Sequence, residues 1–378
     1  MSLLAAGIAV SLPFSDAGNA YVVHAGSRVA KSSGWTWSKG VKLPKRTATT
    51  AIVSLSCPST HLCVASGTER IHGNTGDNGV WWTTDPSAKK PQWHYEQIPS
   101  QSSGGQTLKF ISGPISCNDA GSNVDCAIAS GGNIWQTSHP TKGWGAAPID
   151  TNLLDGVACW VNVQCISSDD EGYILNTAGA TVEGSAQPIL PPAGVGLGTS
   201  LGCAPHRGGV NPFCVEVAGN SHVAYSTDPG GQTWHAGKVP GGGQIDSVSC
   251  ATNTLCVFSE DASGGEAVVG VSRTPKAGES WIKTIKHFKV PEKIAGFAGS
   301  ITAVDCNSKR LCIASGGGAK GNFVLLSTSP TASAGSWHSY FIKDGPAAYG
   351  GALGVACPST KLCVVVGQNG DFVVGKHH

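Results

Sequence analysis

Charge is scarce in this chain: 13% of its 378 residues are Asp, Glu, Lys or Arg, and they nearly cancel to a net +1. So weak a field gives no electrostatic attraction to DNA, RNA or an anionic membrane, and no nucleic acid partner is expected. Long apolar runs are also absent. No later segment reaches the roughly 18 to 20 apolar residues that a transmembrane helix requires. The cysteines show no CxxC spacing, and isolated pairs do not supply the four ligands of a tetrahedral zinc site. What abounds is glycine (52 residues), proline (21) and apolar side chains (40%). Glycine and proline are costly inside helices, so this mixture predicts short strands joined by turns.

The 14 cysteines fall into seven close pairs: Cys57 with Cys63, Cys117 with Cys126, Cys159 with Cys165, Cys203 with Cys214, Cys250 with Cys256, Cys306 with Cys312 and Cys357 with Cys363. Five pairs enclose five residues, and the other two enclose eight and ten. Disulfides are the expected state, which implies an oxidising, extracellular compartment. An apolar run from Leu3 to Leu12, followed by the small residues Gly18, Asn19 and Ala20, resembles the end of a secretory signal, although no Lys or Arg precedes it. Residues 1–20 are thus expected to be a signal remnant, and 21–378 a single domain of a secreted protein.

Aligned on the first cysteine of each pair, the chain repeats every 42 to 60 residues, a period typical of propeller blades. Two residues before that cysteine stand Leu55, Ile115, Val157, Leu201, Val248, Val304 and Val355. One residue after the second stand Val64, Ala127, Ile166, Val215, Val257, Ile313 and Val364. Such alternation reads as two antiparallel strands joined by the cysteine hairpin. Each unit continues to a third strand, such as Val80 to Thr83 or Ala224 to Ser226, and to a fourth near Trp93, Trp144, Trp234, Trp281 or Trp337. The unit of Cys159 lacks this tryptophan. Four strands repeated seven times predict an all-β, seven-bladed β-propeller with one disulfide per blade. Ser27 to Lys31 and Trp35 to Pro44 precede the first unit, whereas Asp371 to Gly375 is a third strand with nothing after it. The N-terminal strand is therefore expected to complete the last blade and leave no open sheet edge.

Ser226-Thr-Asp228-Pro-Gly230-Gly-Gln-Thr233-Trp234 resembles the Asp-box, or BNR repeat, with one extra residue between its Gly and Thr. Thr83-Thr-Asp85-Pro86 with Trp93, and Ser327-Thr-Ser-Pro330 with Trp337, are weaker versions. The chain is similar in this respect to the Asp-box propellers of the sialidase-like superfamily, where the box lies in the turn between third and fourth strands. That resemblance implies the fold and leaves function open among sialidases, xyloglucan-cleaving hydrolases and non-enzymatic propellers. A sialidase proper uses three arginines on its ligand face. This chain has six in all, and Arg28, Arg207 and Arg310 fall on third strands or cysteine hairpins.

Cysteine hairpins and box turns lie on one face of such a ring. Loops from second to third strand, and from blade to blade, lie on the other, which the resemblance makes the ligand face. His72 and His222 stand on its loops, and Trp82 on a third strand is a candidate sugar platform. The third and fifth blades depart from the repeat. Asp155 and Asp246 occupy the fourth place before the first cysteine, and Asp169 and Glu260 the fourth after the second, where Gly67, Gly316 and Gly367 stand elsewhere. A plain hairpin sets Asp155 opposite Asp169 and Asp246 opposite Glu260, and like charges across a strand pair repel. Solvation, a bound cation such as Ca²⁺, or a proton held by one carboxyl relieves that repulsion. Two functions follow. One is a monomeric, secreted binding protein that takes a glycan, cell-envelope component or protein through Asp169, Glu260, His72, His222 and Trp82. The other is a glycoside hydrolase or polysaccharide lyase whose acids are Asp155 and Asp246, roughly 10 Å apart across a narrow channel and near the spacing of inverting glycosidases.

Overall fold

In the computed structural model seven antiparallel sheets, each built on four strands, form a ring. It describes residues 23–24 and 34–378 except 45–48, 71–76, 104, 110–111, 120–122, 150–151, 161–163, 172, 178–187, 190–197, 205–211, 219–220, 231–232, 240–242, 263–265, 274–284, 290–298, 319–320, 343–351 and 368–369. The expected signal remnant, Ser27 to Lys31, His72, Arg207 and Trp281 lie outside the described residues. Blades 1 to 7 begin with the strands Thr49–Ser59, Ile115–Asp119, Leu154–Trp160, Gly198–Cys203, Gln244–Thr252, Ser300–Ser308 and Ala352–Ser359. These first strands pack side by side around the central channel. Among the described residues no helix is long and apolar enough to cross a membrane.

All seven expected disulfides are present, one per blade, each tying the first strand to the second. In blade order they join Cys57 to Cys63, Cys117 to Cys126, Cys159 to Cys165, Cys203 to Cys214, Cys250 to Cys256, Cys306 to Cys312 and Cys357 to Cys363. Closing loops of this length restricts the unfolded chain by about 2 to 3 kcal/mol each on the loop-entropy model. Opposite the second cysteine, from Cys63 in blade 1 to Cys363 in blade 7, stands a residue at or near the end of the third strand. It is Thr83, Thr137, Thr177, Ser226, Ser272 or Ser327 in six blades, and Gly375 in the seventh. In four blades the hydroxyl accepts the N–H two residues on and starts the turn to the fourth strand, as Ser226 does for Asp228 at 2.9 Å. Blade 7 has no such turn, and a Cβ at Gly375 would stand 2.7 Å from the ring of Trp37. Glycine is the residue that lets that ring lie flat on the strand.

Trp37 is there because the N-terminal strand closes the last blade, as expected. Trp35–Trp37 pairs antiparallel with Asp371–His377, setting Trp35 against His377, and Val41 and Lys42 continue the pairing to Phe372 and Asp371. The core is not one mass but seven clusters, one in each gap between blades. Trp93, Trp144, Trp234 and Trp337 each fill the gap before their own blade, and Trp35 does so for blade 7. The first strands are also tied from blade to blade. Ser56, Ser116 and Ser249, each preceding a first cysteine, accept the N–H of Cys117, Cys159 and Cys306 at 3.0 Å. In blade 6 the equivalent residue is Asp305, whose Oδ2 accepts the Cys357 N–H at 2.7 Å.

One expectation is corrected. Among the described residues six first strands carry an extra residue near the face opposite the cysteine hairpins, at Val53, Asp155, Thr199, Asp246, Thr302 and Leu353. A bulge leaves that residue unpaired and increases the local twist. Asp169 therefore lies opposite Leu154, and Glu260 opposite Ile245, so neither acid faces its aspartate squarely.

Candidate functional site

Strand direction places the sites. Each first strand starts at the face opposite the cysteine hairpins, the expected ligand face, and each second strand ends there, so the bulged residues ring the channel mouth. In blade 3 the bulge still gathers acids. Half-buried Asp155 is held above the usual carboxylate range by burial, then by the charges of Asp170 and Asp169. Asp169 is buried and engaged: it accepts from Asn152 Nδ2 at 3.0 Å and from the N–H groups of Glu171 and Tyr173 at 3.1 and 2.6 Å. Its carboxylate thus closes the turn after the second strand. Beside it, from blade 4, stands Glu216, fully buried, with neither carboxyl oxygen in a hydrogen bond. Burial and then the Asp169 charge push Glu216 up to about 8, while the adjacent Ser168 hydroxyl acts the other way. Glu216 is protonated at neutral pH.

Sequence reasoning missed Glu216, although a signal existed. Two residues after the second cysteine the other blades carry Ala65, Ile128, Ser167, Phe258, Ala314 and Val365. An acid among them marks a buried carboxyl.

Blade 5 is arranged differently. Asp246 is raised by burial, offset in part by Gln244, whose Nε2 donates to it at 2.8 Å. Glu260, buried, instead turns across the third strand, and His287 Nδ1 donates to its Oε2 at 2.9 Å. That path exists because residue 270 is glycine: a Cβ there would collide with Glu260 Oε1. Burial lowers the His287 pKa, but the hydrogen bond and charge of Glu260 outweigh it and leave the imidazole raised. Glu260→Gln removes the charge and leaves at most a weaker, neutral acceptor for the hydrogen bond. The His287 pKa, followed by NMR titration, is expected to fall below the ordinary 6.5 in that variant. A pKa unmoved by the substitution rules the pair out.

The remaining candidates scatter. His222 begins the third strand of blade 4, with Nδ1 buried and unbonded. Trp82 lies in the gap between blades 1 and 2 towards the hairpin face, its indole stacked on His94 at 4.2 Å. Among the described residues no three His, Cys, Asp or Glu side chains converge to hold a metal. Gly198-Thr-Ser200-Leu-Gly202 has the spacing of a nucleophile elbow, but here it lies within the bulged first strand of blade 4 and not at a strand-to-helix turn, and Ser200 Oγ accepts the Val248 N–H at 3.4 Å. The four exposed large apolar residues among those described stand towards the face opposite the cysteine hairpins: Val41, Leu153 and Phe341 at or beside strand ends, and Val53 at the bulge within the first strand of blade 1.

No family model matches the chain, and no curated protein matches it by sequence. Solved structures do. YCF48 bound to D1 peptide is 13% identical and superposes with a TM-score of 0.62, over 92% of this chain and 98% of that one. A catalytically inactive virginiamycin B lyase from Staphylococcus aureus with quinupristin is 12% identical, with a TM-score of 0.64 over 90% and 99%. The RRP9 WD40 repeats are 10% identical, with a TM-score of 0.58 over 93% and 99%. The likeness is one of fold. It places the chain among seven-bladed propellers whose functions differ, so function rests on its own residues.

Proposed function

We propose that this propeller is a secreted binding protein that recognises a polypeptide, presented by a cell-envelope component or another protein, on its ligand face. The observation that supports this is the confinement of Val41, Val53, Leu153 and Phe341 to that one face. Three of the four are aliphatic. Sugars stack on open aromatic rings, whereas exposed aliphatic groups match the apolar side chains of a polypeptide. YCF48, of the same fold, is a propeller bound to a peptide. Seven disulfides suit the oxidising surroundings that secretion implies. Purified protein is tested against a displayed peptide library and a glycan array, with and without Ca²⁺. Peptide selection is expected. Val53→Ser with Leu153→Ser and Phe341→Ser weakens it by about 10-fold or more with little change in melting temperature, because each side chain is already exposed. Selection of glycans alone sinks the polypeptide reading, and an unaffected triple variant moves the site off this face.

A hydrolytic reading has one observation in its favour: Asp155 and Asp246 stand at the same bulged place and both are shifted upward. On that reading Asp155→Asn and Asp246→Asn each abolish turnover of a polysaccharide.

A further inference from the structure

We infer that the cysteine-hairpin face of blades 6, 7 and 1, opposite the proposed polypeptide site, is a second docking surface, one that takes a linear anionic polymer of the cell surface through its phosphate or carboxylate groups. This surface stands apart from the polypeptide reading and does not depend on it. The turns of this sector carry six cations, Lys89, Lys90, Lys309, Arg310, Lys361 and Lys376, against one exposed acidic side chain, Asp85. Five of the six are exposed, and none is in an ion pair among the described residues. Lys376 donates to the Ser87 carbonyl, and the His377 N–H donates to the Lys361 carbonyl, so the basic turns of blades 7 and 1 adjoin. A further carboxylate, Asp305, is turned inward onto the N–H groups of Cys306 and Cys357. Between the paired cysteines of blades 2 to 5, by contrast, the charged residues are Asp119, Asp125 and Arg207. A net charge of +1 thus conceals a basic sector on one side of the ring.

The basic residues are also set in a row. In blades 1, 6 and 7 the hairpin serine, Ser59, Ser308 or Ser359, accepts the N–H of the residue two on, His61, Arg310 or Lys361, at 3.3, 3.2 and 3.2 Å. The side chain at that place therefore leaves each blade in the same manner, and first strands packed side by side repeat it around the ring. Blade 5 makes the same turn, from Thr252 to Thr254 at 3.2 Å, with a neutral residue in that place. The turn does not need the basic side chains, so folding does not account for them. A row of unpaired cations attracts a chain of repeating anions, and the Arg310 guanidinium offers two parallel N–H donors to one phosphate or carboxylate. Among the described residues no large apolar side chain is exposed on this face. A protein interface has an apolar centre and a membrane-bound surface an apolar anchor, so the row fits a hydrophilic polymer better than either.

The test measures binding of the full chain at pH 7 to long-chain inorganic polyphosphate and to polygalacturonate, with a poly-glutamate peptide, an oligonucleotide and phosphatidylglycerol vesicles alongside. One or both polymers are expected to bind, and to bind about 10-fold or more weakly when salt rises from about 50 to 200 mM. Which of the two binds tells a phosphate polymer from a carboxylate one. Lys309→Gln with Arg310→Gln and Lys361→Gln is expected to weaken binding about 10-fold at an unchanged melting temperature. Arg310→Gln alone weakens it about 3-fold, whereas Arg273→Gln, which removes the same charge just after the third strand of blade 5 on the same face, leaves it unchanged. No affinity for either polymer, tighter binding of the vesicles, the acidic peptide or the oligonucleotide, or equal losses from Arg310→Gln and Arg273→Gln overturns the proposal. The triple variant is expected to keep its peptide selection on the other face, so failure of either surface leaves the other standing.

Discussion

The protein is expected to be markedly more stable at pH 5 than at pH 8, and Glu216→Gln to remove most of the difference. Among the described residues seven groups are displaced from their ordinary pKa, and all are displaced upward: Glu96, Asp155, Glu216, Asp246, His287, Asp305 and Tyr340. For a carboxyl the consequence is one-directional. The unfolded chain loses the Glu216 proton near 4.5, while the folded protein keeps it to about 8. Between those values the folded state binds more protons, so stability falls as pH rises, by about 1.4 kcal/mol per pH unit for one group. Asp305, raised to about 6 by burial against hydrogen bonds from Cys357, Cys306 and Ser249, acts in the same sense over a lower window. The raised His287 adds stability below 6.5 that is lost as pH climbs through its folded pKa.

The Glu216 contribution alone is on the order of 5 kcal/mol across its window. For a chain of this length that corresponds to roughly 6 °C in melting temperature, using about 2 cal/mol/K of unfolding entropy per residue. Calorimetry from pH 5 to 8 reads it directly. In Glu216→Gln the fall is expected to shrink to a few degrees, with a higher melting temperature than wild type at pH 8. A melting temperature that rises with pH in the wild type contradicts the assignment.

Removing residues 34–44 is expected to abolish cooperative unfolding at 25 °C, or to leave a protein that assembles through its open edge. Trp35 and Leu43 are buried there, and truncating side chains of these kinds costs about 3 to 5 and 2 to 5 kcal/mol. The strand also carries backbone bonds from Ser38 to Val374, from Leu43 to Gly370 and from His378 to Gly34. Together these approach the whole net stability of an ordinary domain, about 5 to 15 kcal/mol. Without them Asp371–His377 becomes an exposed edge, a template for pairing with another chain. Circular dichroism and size-exclusion chromatography distinguish the outcomes. A synthetic peptide of residues 34–44 added in trans is expected to restore the transition, and Trp35→Ala alone to lower it by less than the deletion. A deletion that melts like the intact chain disproves closure by this strand.

The architecture was legible in the sequence because a repeat enforces it. Seven cysteine pairs, flanked by aliphatic residues at fixed offsets, require the same hairpin seven times, and unmatched strands at the two ends require each other. A side chain that must be buried in every blade leaves the same mark in every blade: Cys63, Cys126, Cys165, Cys214, Cys256, Cys312 and Cys363 are all buried on their second strands. Trp35 is part of that pattern, since it fills for blade 7 the gap that Trp93, Trp144, Trp234 and Trp337 fill for theirs. The acids departing from the pattern at Asp155, Asp169, Asp246 and Glu260 were legible too, as interruptions. Their partners were not. A bulge adds one residue to one strand only, so equal offsets from the two cysteines no longer name facing residues, and it separated Asp155 from Asp169 and Asp246 from Glu260. The contacts that replaced them cross strands or blades: Glu260 reaches His287 over Gly270, and Glu216 of blade 4 meets Ser168 and Asp169 of blade 3. The ring, its staples and its closure follow from local periodicity and can be read along the chain. Which carboxyls meet, and which lie buried between blades, is a matter of three dimensions, because it depends on the twist of each first strand and on which blade lies next to it.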